Sequence, residues 1–197
     1  MYVNSLLAAG LFAISVTVSH AATVTDVGTA AGSTDFVSSG GGAIADSLHP
    51  AYLPNSSTSA WVWDENPTLS SVTFTHSFDL TGFDYTTASL SGLWGADNMG
   101  TAYLNGTAIS SISFGRDAFL MLTAFSATQG FFAGINTLSF TVINTGVWSH
   151  RNPAAFRAEA LVTADLSPSP VPIPASGFLL LAGLGAIAGL RRRNRKA

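Results

Sequence analysis

The sequence predicts an all-β fold, a single β-sandwich, on three observations. The first is strict alternation: Val72, Phe74, His76, Phe78 and Leu80 take turns with Thr73, Thr75, Ser77 and Asp79, which puts apolar side chains on one face. The second is Asn105-Gly106 between two short β-prone runs, Ala102-Tyr103-Leu104 and Thr107-Ala108-Ile109. Both central residues of a type I′ turn need positive φ, so this dipeptide is a strong hairpin signal. The third is composition: the body is rich in Thr, Ser, Gly and Phe and has no lysine before Lys196, which favours strands and turns over helices.

The elements follow in chain order. Residues 28–42 read as long glycine-rich loops, and residues 58–63 as a strand that would set Trp61 and Trp63 on one face. The alternating strand at 72–80 comes next. Leu90, Leu104, Ile112 with Phe114, and Phe119 with Met121 mark further short strands. Leu138, Phe140 and Val142 alternate with Thr137, Ser139 and Thr141, and Phe156, Ala158, Ala160 and Val162 with Arg157 and Glu159. About eight short strands with turns at regular spacing suit a sandwich.

Charge divides the chain. All 11 acidic residues lie between Asp26 and Asp165, where Arg116, Arg151 and Arg157 are the only basic ones. The other five, Arg191, Arg192, Arg193, Arg195 and Lys196, crowd the end and form a basic stop. A body without lysine excludes a nucleic-acid reader, which needs a basic face to neutralise phosphate. With no Cys, a disulfide framework, a thiolate metal site and a thiol nucleophile are excluded too.

Both ends read as addresses. Residues 6–18 form an apolar run too short for a comfortable membrane span, followed by small Ser19 and Ala21 at signal-cleavage positions. Residues 1–21 are therefore expected to be a signal peptide cut after Ala21 and handled by the Sec export machinery. The sandwich is expected over 22–166, a Pro-rich linker with a sorting motif over 167–177, a transmembrane helix over 178–190 and a basic cytoplasmic tail over 191–197. The sixteen uncharged residues from Ala175 to Leu190 rise roughly 24 Å as a helix. Snorkelling arginines and local thinning would make up the difference from the ~30 Å hydrocarbon core.

Proline motif, short apolar helix and arginine cluster, in that order, resemble the PEP-CTERM class of bacterial sorting signals. Val171-Pro172-Ile173-Pro174-Ala175 looks like its VPLPA variant, with Ile173 in place of the usual leucine. The resemblance covers about the last 28 residues. It implies a Gram-negative host, processing by an exosortase-type membrane enzyme, inner-membrane anchoring as a precursor, and a final place on the cell surface or in the extracellular matrix, with exopolysaccharide and biofilm as the setting.

The body carries a second resemblance. Phe78-Asp-Leu-Thr-Gly-Phe83, Leu93-Trp-Gly-Ala-Asp97-Asn98, Tyr103-Leu-Asn105-Gly106 and Gly134-Ile-Asn136-Thr-Leu138 follow one another as in galactose-binding-like jelly rolls. These are similar to the sugar-binding domains that accompany some β-glycosidases. The match implies a jelly-roll sandwich and, often in such folds, a structural calcium ion between an early loop and the last strand. Asp26, Asp35, Asp97 and Glu159 are the carboxylates placed to supply its oxygens. A solvated acidic surface is the plainer account of the same residues.

The candidate binding residues are aromatic and amide-bearing, because sugars are held by ring faces on their C–H surfaces and by polar groups on their hydroxyls. Trp148, Arg151 and Asn152 fall in a loop after a late strand and form the preferred rim cluster; Trp61 and Trp63 form a second. Core packing of the tryptophans is the competing reading, and Trp94 reads as core. Catalysis is not expected. No nucleophile-elbow, zinc-protease or phosphate-loop motif occurs, and His49, His76 and His150 are scattered. Glycosidase chemistry needs two carboxylates facing each other, and among 11 acids a pair such as Asp64 and Glu65 is easy to name but nothing in the sequence singles it out. The sequence thus points to an exported, exosortase-sorted protein that binds polysaccharide without catalysis. A structural envelope or matrix protein without a sugar ligand is the alternative, and a glycan hydrolase the third.

Overall fold

The computed structural model describes residues 20–30, 33–146, 152–168, 182–186, 191–192 and 194. The chain divides into two units, Met1–Ser167 and Pro168–Ala197. The first is an all-β, two-sheet, jelly-roll-like sandwich of eleven described strands and one helical turn. In order these are β1 (Ala21–Gly28), β2 (Val37–Ser38), β3 (Ile44–Asp46), β4 (Val62–Asp64), β5 (Ser71–Asp79), β6 (Phe83–Asp97), β7 (Met99–Leu104), β8 (Thr107–Ile112), α1 (Asp117–Leu120), β9 (Thr123–Ala127), β10 (Ile135–Ile143) and β11 (Ala155–Leu166). One sheet runs β3-β4-β11-β6-β9, with β1 also paired to β11; the other runs β2-β5-β10-β7-β8. Every pairing is antiparallel.

The alternation at 72–80 becomes β5, and β10 pairs with it in register, Phe140 opposite Phe74 and Val142 opposite Val72. Their apolar face meets that of β6 and β11 across the sandwich. Phe74 and Phe156 stack with centroids 4.4 Å apart, and Phe140 lies 5.0 Å from Phe156 and 5.3 Å from Trp94. Burying each such ring stabilises the fold by about 1.5–3 kcal/mol. The hairpin forms as expected, Asn105 at φ 50° and Gly106 at φ 80°. His76 is a satisfied, half-buried histidine: Nδ1 donates to the Asp35 carbonyl at 2.7 Å, and the Thr25 hydroxyl lies 3.3 Å from Nε2.

Several expectations need correction. Phe119 and Met121 do not mark a strand; the chain makes the turn α1 there, and Phe119 packs beside Tyr52 and Trp61. Phe114 lies beyond the end of β8 and is exposed. The strand expected over 58–63 is instead β4, so Trp61 precedes it and Trp63 lies within it. They do not share a face. Trp61 packs in a small cluster with Tyr52 and Ala155, whereas Trp63 enters the main core beside Phe74.

The larger correction concerns the membrane. No helix among the described residues is long and apolar enough to cross a bilayer. In the second unit the described helical run at 182–186 rises about 7.5 Å, against a hydrocarbon core of ~30 Å. The transmembrane helix expected over 178–190, and the inner-membrane anchoring argued from it, are overturned by that finding. The signal segment up to residue 19, the motif Val171 to Ala175, and Arg193, Arg195 and Lys196 lie outside the described residues. Arg191 and Arg192 are described as exposed and helical, and Ala21 opens β1 opposite Asp165.

Candidate functional site

The outer face of the first sheet is covered in part. Residues 47–61, between β3 and β4, lie across its end. A buried cation holds this segment down: Arg157, on the outer side of β11, is 3% exposed. Its Nε donates to Ser59 Oγ at 2.9 Å and its Nη1 to the Pro54 carbonyl at 2.7 Å. Burial lowers its pKa, opposed by the charge of Glu159. Ser59 and Thr58 in turn donate to Glu159 Oε2 at 3.0 and 2.7 Å. The sheet makes room by lacking a side chain at Gly95, where a Cβ would come within 2.6 Å of the Trp61 ring. Trp61 Nε1 donates to the Leu53 carbonyl at 2.7 Å, and Tyr52 lies 4.9 Å from its ring.

Below Tyr52 sits Asp97, at the end of β6. The phenol donates to Asp97 Oδ2 at 2.8 Å, and Asn98 Nδ2 donates to Oδ1 at 2.6 Å. Burial raises the pKa of Asp97, and the Tyr52 hydrogen bond acts against that; burial and the neighbouring carboxylate raise the phenol's. Asn98 Oδ1 accepts both the backbone N–H and the hydroxyl of Thr145, at 2.7 and 2.8 Å. This chain of bonds ties the 47–61 segment to the base of the loop after β10.

A hollow of about 370 Å³ opens where β3, β4 and the approach to β11 meet. Asp46, His49, Glu65 and Asn152 give it polar walls, and Leu48 and Pro67 apolar ones. The volume falls within the range of small-ligand sites. Its walls are braced. Ser47 Oγ donates to the Ala154 carbonyl at 2.7 Å, and Ser47 N to Trp61 O at 2.8 Å. Behind it Asp64, 3% exposed, accepts from the Ser38 hydroxyl, from Gly42 N at 3.2 Å and from Asn66 N at 2.8 Å. Gly40 and Gly42 wrap this carboxylate; a Cβ on either would come within 2.3 or 2.6 Å of its oxygens. The glycine run at 40–42 is a cradle for Asp64.

The predicted site residues fare unequally. Asn152 does line the hollow, but its Nδ2 donates to Asn144 Oδ1 at 3.0 Å and Thr145 O at 3.3 Å, so its amide N–H braces the loop. Trp148 and Arg151 lie outside the described residues. Trp61 and Trp63 are 1% and 4% exposed and offer no stacking platform; the 47–61 segment covers the first and the second sheet covers the other.

Of the calcium set, Asp26, Asp35 and Glu159 line another hollow, of about 500 Å³, over β1, β11 and β6. Asp35 Oδ2 there accepts from Gly28 N at 3.1 Å, and Glu159 from the two hydroxyls above. Asp97 is bound to Tyr52 elsewhere, so the four do not form one donor set. Among the described residues no group of three or more His, Cys, Asp or Glu is arranged to hold a metal ion.

Asp46, His49 and Tyr52 were missed as site residues, and Asp97 was assigned to calcium and not to Tyr52. The glycine triplet at 40–42 was a signal, but its partner Asp64 lies 22 residues on from Gly42.

No family model matches the chain. No curated protein matches it either. Among solved structures it is similar to a family 35 carbohydrate-binding module from an environmental isolate, at 15% identity and a TM-score of 0.40, covering 72% of this chain and 96% of that one. A CBM35 from Paenibacillus barcinonensis gives 13% identity and a TM-score of 0.37, with 69% and 97% covered. A β-glucuronidase from an uncultured Clostridium sp. gives 10% and 0.39, and the chain spans 30% of that enzyme's length. The two-sheet architecture rests on the strand order itself, and the site on its own residues.

Proposed function

We propose that the sandwich binds carbohydrate without catalysis, in the hollow between β3, β4 and the approach to β11. The observation that carries this reading is the hollow's composition: polar Asp46, His49 and Glu65 beside apolar Leu48 and Pro67, on walls fixed by Ser47, Asp64 and Asn152. Carboxylates accept hydrogen bonds from sugar hydroxyls, while apolar walls meet the ring C–H faces. Pre-set walls lower the ordering cost of binding a flexible ligand. The adjacent acids do not make a hydrolytic pair. Asp64 is buried and committed to three donors, so it is no acid or base toward a ligand.

The test is a glycan array probed with the purified full-length chain, with and without Ca²⁺. Saturable binding to one class of glycan, with no products released over prolonged incubation, supports the reading. A folded sample that binds nothing in either condition overturns it.

A further inference from the structure

A neighbouring hollow extends the site. Its volume is about 350 Å³, and it shares Ser47, Leu48 and His49 with the first. The two hollows therefore lie on either side of these residues. Their chemistry differs. The first has Asp46, Glu65 and Asn152; the second is walled by Pro50, Leu53 and Pro54 against the edges of Tyr52 and Trp61. Leu48 is 76% exposed, and His49 is exposed with its ring 5.3 Å from that of Tyr52, so both stand at the surface between the hollows.

The second hollow is as firmly built as the first. Leu53 N donates to Phe119 O at 2.9 Å, Tyr52 N to His49 O at 3.0 Å, and Asn55 Oδ1 accepts from Trp61 N at 3.0 Å. The Arg157 bond to the Pro54 carbonyl pins its far wall. Two hollows joined along a shared ridge, one polar and one apolar, suit two successive rings.

We infer, resting on the carbohydrate reading above, that the ligand is a glycan at least two rings long, held across both hollows. One ring sits by its hydroxyls among Asp46 and Glu65, and the next lies by its C–H face on the proline and leucine wall across the Leu48–His49 ridge. The second ring adds contact area without a further charged partner, so its gain comes from apolar burial.

The experiment measures affinity of the full-length chain for homo-oligosaccharides of glucose, galactose, mannose and xylose, each at one to four rings. For the sugar that binds, the two-ring ligand is expected to bind about tenfold more tightly than the single ring, with little added by a fourth. Pro50→Ala and Pro54→Ala, at exposed positions that line the second hollow and not the first, should together erase most of that gain and leave single-ring affinity within about twofold. Glu65→Gln should weaken all lengths alike. Equal affinity for one and two rings overturns the two-ring inference while leaving carbohydrate binding intact, as does a length gain untouched by the two proline variants. No binding at any length in the panel overturns the carbohydrate reading itself, and the inference with it.

Discussion

Replacing Asp64 by alanine tests whether the glycine cradle holds the site together. The carboxylate is 3% exposed and accepts from Ser38 Oγ, Gly42 N and Asn66 N. Deleting it strands three donors, each costing about 1–3 kcal/mol if left unpaired. Partial resolvation of the 38–42 loop recovers some of that, so the expected net loss is about 3–5 kcal/mol. Asp64→Asn keeps one carbonyl-type oxygen but turns an N–H toward at least one donor, for about 1–2 kcal/mol. With a urea slope of ~2 kcal/mol/M, the alanine variant's midpoint should fall by about 1.5–2.5 M. Equilibrium urea unfolding followed by tryptophan fluorescence reads it directly. An alanine variant within about 1 kcal/mol of the parent would refute the cradle argument.

Two further outcomes follow from other buried polar groups. Asn136 is fully buried and receives N–H bonds from Phe132 and Asn105 while donating to the Phe132 and Gly134 carbonyls, so Asn136→Ala should lose about 2–4 kcal/mol in the same unfolding assay. Asp97 has its pKa raised chiefly by burial, so its charged form is less favoured in the fold than in the unfolded chain. Its penalty is therefore present at neutral pH and fades as pH falls through the raised folded value toward the ordinary carboxylate one. The urea midpoint of the parent relative to Asp97→Asn should accordingly rise as the pH is lowered from neutral toward the ordinary carboxylate range; a pH-independent difference would contradict it.

The strands that form the core were readable because their signal is local. Val72 to Phe78 and Leu138 to Val142 alternate without interruption, and each supplies one apolar face to the same interior. Asn105-Gly106 needed only its own backbone preference. What escaped was the layer outside the first sheet. Arg157 was rightly read as pointing away from the core, but a two-residue period cannot show that residues 53–59 return to cover it. The tryptophan pair failed for a related reason. Two residues apart means one face only within one strand, and β4 begins between them. The hollow depends on contacts between residues 46–49, 63–67 and 152–154, held by bonds such as Ser47 to Ala154, 107 positions apart. No window along the chain contains them together. The C-terminal apolar run had a strong local signal, yet the helical length among its described residues falls short of a span.

The site proposal itself is tested most directly by titrating a bound glycan from the array into the full-length chain and into the Asp46→Asn/Glu65→Gln double variant by calorimetry. Both acids are exposed, so the variant's urea midpoint should match the parent's. The account predicts at least a tenfold loss of affinity, about 1.4 kcal/mol, with folding unchanged. Undiminished binding by the double variant would place the sugar elsewhere on the molecule and contradict the site.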